Sequence, residues 1–178
     1  DLRKFTIISR IGSGTFSEVF KIKNNDSNFI YAAKVSLKAL EEDSESTLKN
    51  LQREVNIISK LNHPSIIKYI GFSPTNFYNE DKPVIITEYM PNGTLHEIIS
   101  LERKSIPSSY WNDTRKLINI YGIASAMSYL HSHKIIHRDL KPANILMDDF
   151  FYPKIADFGL SKVSHSNQNS MMSNSSTF

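Results

Sequence analysis

The sequence predicts an α+β protein built as two lobes, the first rich in strands and the second helical. Three observations predict it. Short β-like runs fill residues 5–38. The hydrophobic period then changes to three- and four-residue steps at 44–61 and again at 111–131, the spacing of one face of a helix. Between those segments Pro91-Asn92-Gly93 breaks the chain, because Pro and Gly both interrupt regular backbone. The expected division is 1–89 for the strand-rich lobe and 90–178 for the helical one.

Each element has its own signal. Phe5-Thr6-Ile7-Ile8 and Val19-Phe20-Lys21-Ile22 flank a glycine turn. The polar run Asn24–Asn28 reads as a hairpin turn, and Phe29–Val35 as a third strand. From Ser44 to Leu61 the residues Leu48, Leu51, Val55, Ile58 and Leu61 form a helical stripe. Asn62-His63-Pro64 ends it, since the residue before Pro is pushed out of helical backbone. Strands follow at Ile66–Gly71 and Val84–Tyr89, then helices at Thr94–Ser100 and Trp111–His131. The second helix carries Leu117, Ile120, Tyr121, Ala124, Met127 and Leu130 as its expected apolar stripe. Ser164–Phe178 is almost all Ser, Asn, Met and Gln and is expected to be mobile.

Composition narrows the function. With 40% hydrophobic and 22% charged residues, the 178-residue chain can bury a core. A net charge of +3 lacks the concentrated basic face that nucleic acid requires. With no Cys, disulfides and Cys-based zinc sites are excluded, which fits a reducing, cytoplasmic setting. No apolar run approaches the roughly 18 residues that span a bilayer. The chain starts Asp1-Leu2-Arg3 with neither an initiator Met nor a signal pattern, as an excised segment would.

Chemistry concentrates in a few places. Gly12-Ser13-Gly14-Thr15-Phe16-Ser17-Glu18-Val19 lies between two strands. Glycines let backbone N–H groups approach a phosphate, yet alone this run reads better as a plain hairpin, and Ser17 occupies the place of a third glycine. A strand Lys such as Lys34 and a helical Glu such as Glu54 are each ordinarily solvated. Together they could meet where the helix packs on the sheet. The run Ile135-Ile136-His137-Arg138-Asp139-Leu140-Lys141-Pro142-Ala143-Asn144-Ile145-Leu146 sets Asp139 five positions before Asn144, between apolar runs. Asp157-Phe158-Gly159 follows after a second hairpin.

In this order and spacing, over residues 5–162, the chain resembles the eukaryotic protein kinases. The resemblance implies a bilobal protein-kinase-like fold, with an N-lobe of strands and one main helix and an incomplete helical C-lobe. It implies ATP and Mg²⁺ as cofactors and a protein substrate. Lys34 would touch the α/β-phosphates and pair with Glu54. Asp139 would accept the hydroxyl proton or orient the nucleophile, and Lys141 would lie near the transferring phosphoryl group. Asn144 and Asp157 would hold the metal. Backbone groups at Glu88 and Met90 would bond the adenine edge, with Thr87 behind it. Ile11, Gly12 and Gly14 would cover the nucleotide from the glycine loop. Val19, Ala32 and Leu146 would sandwich the base. Ile58, Tyr69, His137 and Phe158 match the stack that links the main helix to the metal-binding loop.

Lys141 in its Asp-Leu-Lys-Pro context resembles Ser/Thr kinases. The runs Pro83–Leu95 and Asp157–Lys162 resemble the tyrosine-kinase-like group, which mostly modifies Ser and Thr. Arg138 resembles the Arg of kinases switched by phosphorylation of the activation loop, by an upstream kinase or by the protein itself. The candidate acceptors are Ser164, Ser166, Ser170, Ser173, Ser175, Ser176 and Thr177. No Ala-Pro-Glu motif closes that segment before Phe178. The expectation is therefore a kinase truncated in the activation segment, poorly stable and weakly active by itself. Two other readings remain at this point. One is an ATP-binding pseudokinase or regulatory scaffold. The other is an unrelated α+β binding module. Neither a nucleic-acid nor a membrane partner is expected.

Overall fold

The structure, a computed structural model, describes residues 1–15, 17–37, 45–106 and 109–164, and for 45–50 the backbone alone. The Ser-rich segment from Ser166 onward lies outside the described residues.

Five strands, β1 (Phe5–Ser13), β2 (Ser17–Asn24), β3 (Ile30–Ser36), β4 (Tyr69–Ser73) and β5 (Val84–Glu88), form an antiparallel sheet ordered β1-β2-β3-β5-β4. Register explains which face carries chemistry. Ala33 sits opposite Phe20 on β2 and Ile86 on β5, and Val35 opposite Val84. Ile22, Ala33, Val35, Val84 and Ile86 are buried as one core, covered by Phe5 and Phe77. Side chains alternate along a strand, so Lys34, between Ala33 and Val35, must emerge on the opposite face. Helix α1 (Glu45–Ile58) lies on that side and brings Glu54 to Lys34.

A second core joins α1 to the helical lobe. It holds Ile57, Ile58, Ile66, Ile67, Ala126, Leu130, Ile135, Ile155 and Phe158. Helix α2 (Leu95–Arg103) starts at a capping box, in which Thr94 and Glu97 satisfy each other's backbone N–H. Helix α3 (Asp113–Ser132) is capped by Asn112. Two short antiparallel pairs complete the lobe: β6 (Ile135–Ile136) pairs with β9 (Lys162–Val163), and β7 (Ile145–Met147) with β8 (Pro153–Ile155). The architecture is the α+β, two-lobed one that the sequence predicts.

Some boundaries differ. The fourth strand begins at Tyr69, and Ile66 makes only an isolated bridge to Ile155. More consequential is α3. Its buried stripe is Asn119, Gly122, Ala126 and Leu130. Leu117, Ile120 and Tyr121, expected on the apolar stripe with Leu130, are 67%, 65% and 76% exposed. Apolar residues occur all round this helix, so periodicity admits more than one stripe. Close approach decides: a Cβ on Gly122 would lie 2.8 Å from both Pro153 Cγ and Ser65 Oγ, so only the glycine face can come this near.

Candidate active site

Lys34 Nζ donates to Glu54 Oε1 at 2.9 Å and Oε2 at 3.1 Å, and lies 3.5 Å from Asp157 Oδ1. Burial by itself pushes the Lys34 ammonium toward its neutral form, but the Glu54 and Asp157 carboxylates outweigh that, and its pKa is raised. The ammonium is therefore a permanent charge, gripped on one side and aimed past Asp157. Glu54 is buried although its helix is largely polar, as a carboxylate can be when it is paired.

The segment from His137 to Asn144 folds back on itself. Asp139 Oδ2 accepts from Lys141 Nζ and from Asn144 Nδ2, each at 2.8 Å. The Asn144 amide also donates to the Asp139 carbonyl at 2.9 Å. The Lys141 bond, with burial opposing it, holds the Asp139 carboxyl below its ordinary range, so it is ionised and an acceptor at neutral pH. Asn144 is fixed by the 3₁₀ turn Pro142–Asn144, which Pro142 can open because it needs no backbone N–H there.

His137 ties this segment to the Asp157 loop. It is 1% exposed. Its Nδ1 accepts the Asp139 N–H at 3.3 Å, and its Nε2 faces the Ala156 carbonyl at 3.1 Å. An N–H can only donate and a carbonyl can only accept. The ring is thus neutral with its proton on Nε2. Burial, the largest influence, lowers its pKa and agrees with that tautomer. The Ala156 N–H donates to the Asn144 carbonyl at 2.9 Å. Asp157 is thereby held one residue from the Asn144 strand. Arg138 and Asp157 both adopt left-handed backbone, φ 70° and 61°, a strain tolerated where surrounding bonds over-determine the turn.

The stack foreseen from the sequence is assembled. Phe158 is fully buried with Ile58 in one core, Tyr69 packs against it, and the His137 and Phe158 rings meet edge-on at 5.1 Å. The linker after β5 is anchored as well. Asn92 N–H donates to the Met147 carbonyl at 3.3 Å, and Met147 N–H to the Gly93 carbonyl at 2.9 Å. Thr94 bridges Leu146, which lies two residues after Asn144. Thr87 stands opposite both Ala32 and Tyr69. Val19 pairs with Gly12 on β1 and with Lys34 on β3. Gly14 N–H closes the glycine turn onto the Ser17 carbonyl at 2.8 Å, while Ile11 is half-exposed on β1. Contacts therefore link the linker to Leu146 and Met147, the Asn144 carbonyl to the Asp157 loop, and that loop to Lys34.

Two side-chain contacts escaped sequence reasoning. Ser161 is fully buried and its hydroxyl donates to the His137 carbonyl at 3.1 Å. Glu88 pairs with Lys154 of β8 at 3.2 Å and also accepts the Lys68 N–H at 2.9 Å, behind the linker. Sequence reasoning gave Glu88 only a backbone role and Ser161 no contact, and only the folded chain brings these partners together.

The donor set suits a hard cation. Among the described residues no group of three or more His, Cys, Asp and Glu could hold a metal alone. Mg²⁺ ordinarily takes one or two carboxylates plus phosphate oxygens and waters. The Asp157 carboxylate is exposed, and its loop is tied to the Asn144 carbonyl through the Ala156 N–H, a sparse oxygen set that suits a metal arriving with a polyphosphate.

The chain resembles known proteins along nearly its whole length. The family model for the protein kinase domain matches residues 5–178. A cysteine-rich receptor-like protein kinase 10 of Oryza sativa subsp. japonica is 33% identical over 94% of this chain and 25% of its own length. Aurora kinase of Saccharomyces cerevisiae is 35% identical over 90% of the chain and 41% of its own length. Aurora kinase A-A of Xenopus laevis is 36% identical over 90% and 37%. The chain thus spans well under half the length of these curated relatives. Among the described residues no helix is long and apolar enough to cross a membrane. With Lys34, Glu54 and Asp157 brought together and the match running from Phe5 onward, the chain belongs to the protein kinase domain family.

Proposed function

We propose that this domain binds Mg–ATP in the cleft and transfers the terminal phosphoryl group to a Ser or Thr hydroxyl of a protein. The observation that carries the reading is a convergence. Lys34, Glu54 and Asp157 form one charged cluster, and the Ala156–Asn144 and Ala156–His137 bonds join it to Asp139 and Lys141.

In this reading the adenine lies against Glu88 and Met90, with Thr87 behind it and Val19, Ala32 and Leu146 on its faces. Ile11, Gly12 and Gly14 cover it. Lys34 holds the α/β-phosphates, and Glu54 orients Lys34. Asn144 and Asp157 hold Mg²⁺, which neutralises phosphate charge when bound. The substrate hydroxyl attacks the γ-phosphorus as the bond to ADP breaks, and its proton passes toward Asp139. Because Asp139 is held below its ordinary pKa, it is a weak base and chiefly orients the hydroxyl. Lys141 balances the charge on the transferring group. The Lys in the Asp-Leu-Lys-Pro run supports Ser and Thr as acceptors. The lobes divide after Tyr89, as 1–89 and 90–178. Phosphate on Ser164 or a later hydroxyl, added by an upstream kinase or by the protein itself, pairs with Arg138. The setting that fits a cysteine-free chain is cytoplasmic.

The test is phosphoamino-acid analysis of a mixed peptide substrate incubated with the full-length protein and Mg–ATP. Phosphoserine and phosphothreonine are expected. Phosphotyrosine alone would overturn the acceptor class, and no transfer at all would overturn the activity.

A further inference from the structure

The ladder between β6 and β9 ends at Ile136 and Lys162. In that register the next pair is His137 opposite Ser161, and there a side chain carries the link. The Ser161 N–H turns back to the Phe158 carbonyl at 3.0 Å and closes the turn that follows Asp157. The Ser161 hydroxyl reaches across the pair and donates to the His137 carbonyl at 3.1 Å. One residue thus holds the Asp157 loop with its backbone and the His137–Asn144 segment with its side chain. Ser161 is 0% exposed and His137 1%, so a carbonyl deprived of this donor cannot turn to solvent for another.

The placement of Asp139 hangs on that carbonyl. It belongs to the peptide that leads into Arg138, whose φ of 70° is left-handed. Such a conformation costs free energy and persists only where neighbouring bonds fix it. Turning the peptide plane would change Arg138 and swing Asp139, the next residue. The His137 ring makes the complementary tie, accepting the Asp139 N–H at 3.3 Å and donating to the Ala156 carbonyl at 3.1 Å. His137 therefore grips the Asp157 loop on both sides, through Ala156 just before Asp157 and through Ser161 after Gly159 and Leu160.

We infer that Ser161 is a positioning residue for phosphoryl transfer: its hydroxyl holds the His137–Arg138 peptide in the orientation that sets Asp139 against Asp157. The inference rests on the kinase reading above and deepens it. Being fully buried, Ser161 touches neither nucleotide nor acceptor and acts through His137. In that reading Asp139 serves the hydroxyl side of the reaction and Asp157 the phosphate side. An error in their relative placement falls on the transfer step, where a misplacement of about 1 Å can cost about 10²-fold in rate. Nucleotide affinity depends on the linker and on Lys34, which Glu54 holds independently of Ser161.

The experiment measures single-turnover phosphorylation of one Ser or Thr peptide by the full-length protein at saturating Mg–ATP, beside the Kd of Mg–ATP. Wild type, Ser161→Ala and Ser161→Thr are compared, each well below its melting temperature. Ser161→Ala should slow transfer by about five- to ten-fold, the effect of one hydrogen bond expressed as a rate. Its Kd should stay within about two-fold of wild type, less than one hydrogen bond changes an equilibrium. Ser161→Thr keeps the donor and should transfer within about two-fold of wild type, whatever its added methyl does to the melting temperature. Transfer by Ser161→Ala within about two-fold of wild type overturns the inference. A Ser161→Thr rate as low as that of Ser161→Ala overturns it too, because packing and not the hydroxyl would then be responsible. So does a Ser161→Ala loss that falls on Kd and spares transfer. Each of these, with the wild type active, sinks this inference alone. A wild type that transfers nothing sinks the kinase reading along with it.

Discussion

Asp139 shows how far one side chain can be argued. Its Oδ2 already holds two donors, Lys141 and Asn144, and its own N–H is held by His137. Substituting Ala removes the proposed acceptor for a substrate hydroxyl and leaves Lys34 and Asp157 in place. Asp139→Ala should lower kcat by at least about 10²–10⁴-fold, the usual contribution of a positioned base. Nucleotide affinity, read by a thermal shift with Mg–ATP, should hold. Near-wild-type phosphorylation by that variant would refute the role. His137 makes a different claim, about pH. Burial keeps it neutral and depresses its pKa below 6.5, against the pull of the Ala156 carbonyl and of Asp157 and Asp139. A group depressed on folding contributes stability above its unfolded pKa and loses it as pH falls. The melting temperature should hold from about pH 8 to 6.5 and then decline toward pH 5. His63, also depressed by burial, acts in the same direction. In His137→Tyr the decline should be shallower and not abolished. An unchanged slope would remove His137 from the account.

At the scale of elements, the decisive contact is between α3 and β8. Gly122 lets the helix reach Pro153, and two opposed effects meet there. Alanine is favoured over glycine inside a helix by about 1 kcal/mol. Overpacking a close contact costs typically 1–3 kcal/mol. The obstacle is a rigid, buried proline ring with Ser65 Oγ beside it, both 2.8 Å from the added carbon. The steric term wins, and Gly122→Ala should destabilise by roughly 1 kcal/mol, visible as a lower melting temperature. A rise in that temperature would mean that α3 can shift off β8 at little cost. The pairing of β6 with β9 is a second such contact. It joins the strand entering the His137–Asn144 segment to the strand leaving the Asp157 loop.

For the whole molecule, the exposed face of α3 sets the solution behaviour. Leu117, Ile120 and Tyr121 lie within two turns and are all more than half exposed. Contiguous apolar patches beyond a few hundred Å² are uncommon on soluble monomers. The 178-residue chain should therefore associate as its concentration rises, detectable by light scattering. Replacing the three with Lys, Ser and Gln should suppress that association without changing the far-ultraviolet circular dichroism. Scattering that is independent of concentration in the unsubstituted chain would contradict it.

The sequence alone determined the fold class and the identity of the charged residues. Periodicity separates strands from helices by local geometry, and Lys34, Glu54, Asp139, Asn144 and Asp157 stand in a spacing that chance does not produce. It also located the glycine turn, the linker and the stack through Ile58, Tyr69, His137 and Phe158. Tertiary structure decided what depends on approach between distant segments. It selected the glycine face of α3 over the larger apolar one, because a helix packs where its neighbour can come close. It revealed the buried hydroxyl of Ser161, the Glu88–Lys154 pair and the neutral tautomer of His137. Pattern records which side chains a residue has beside it along the chain. Only folding sets the distances across the chain, and hydrogen bonds and ion pairs act over a few ångströms.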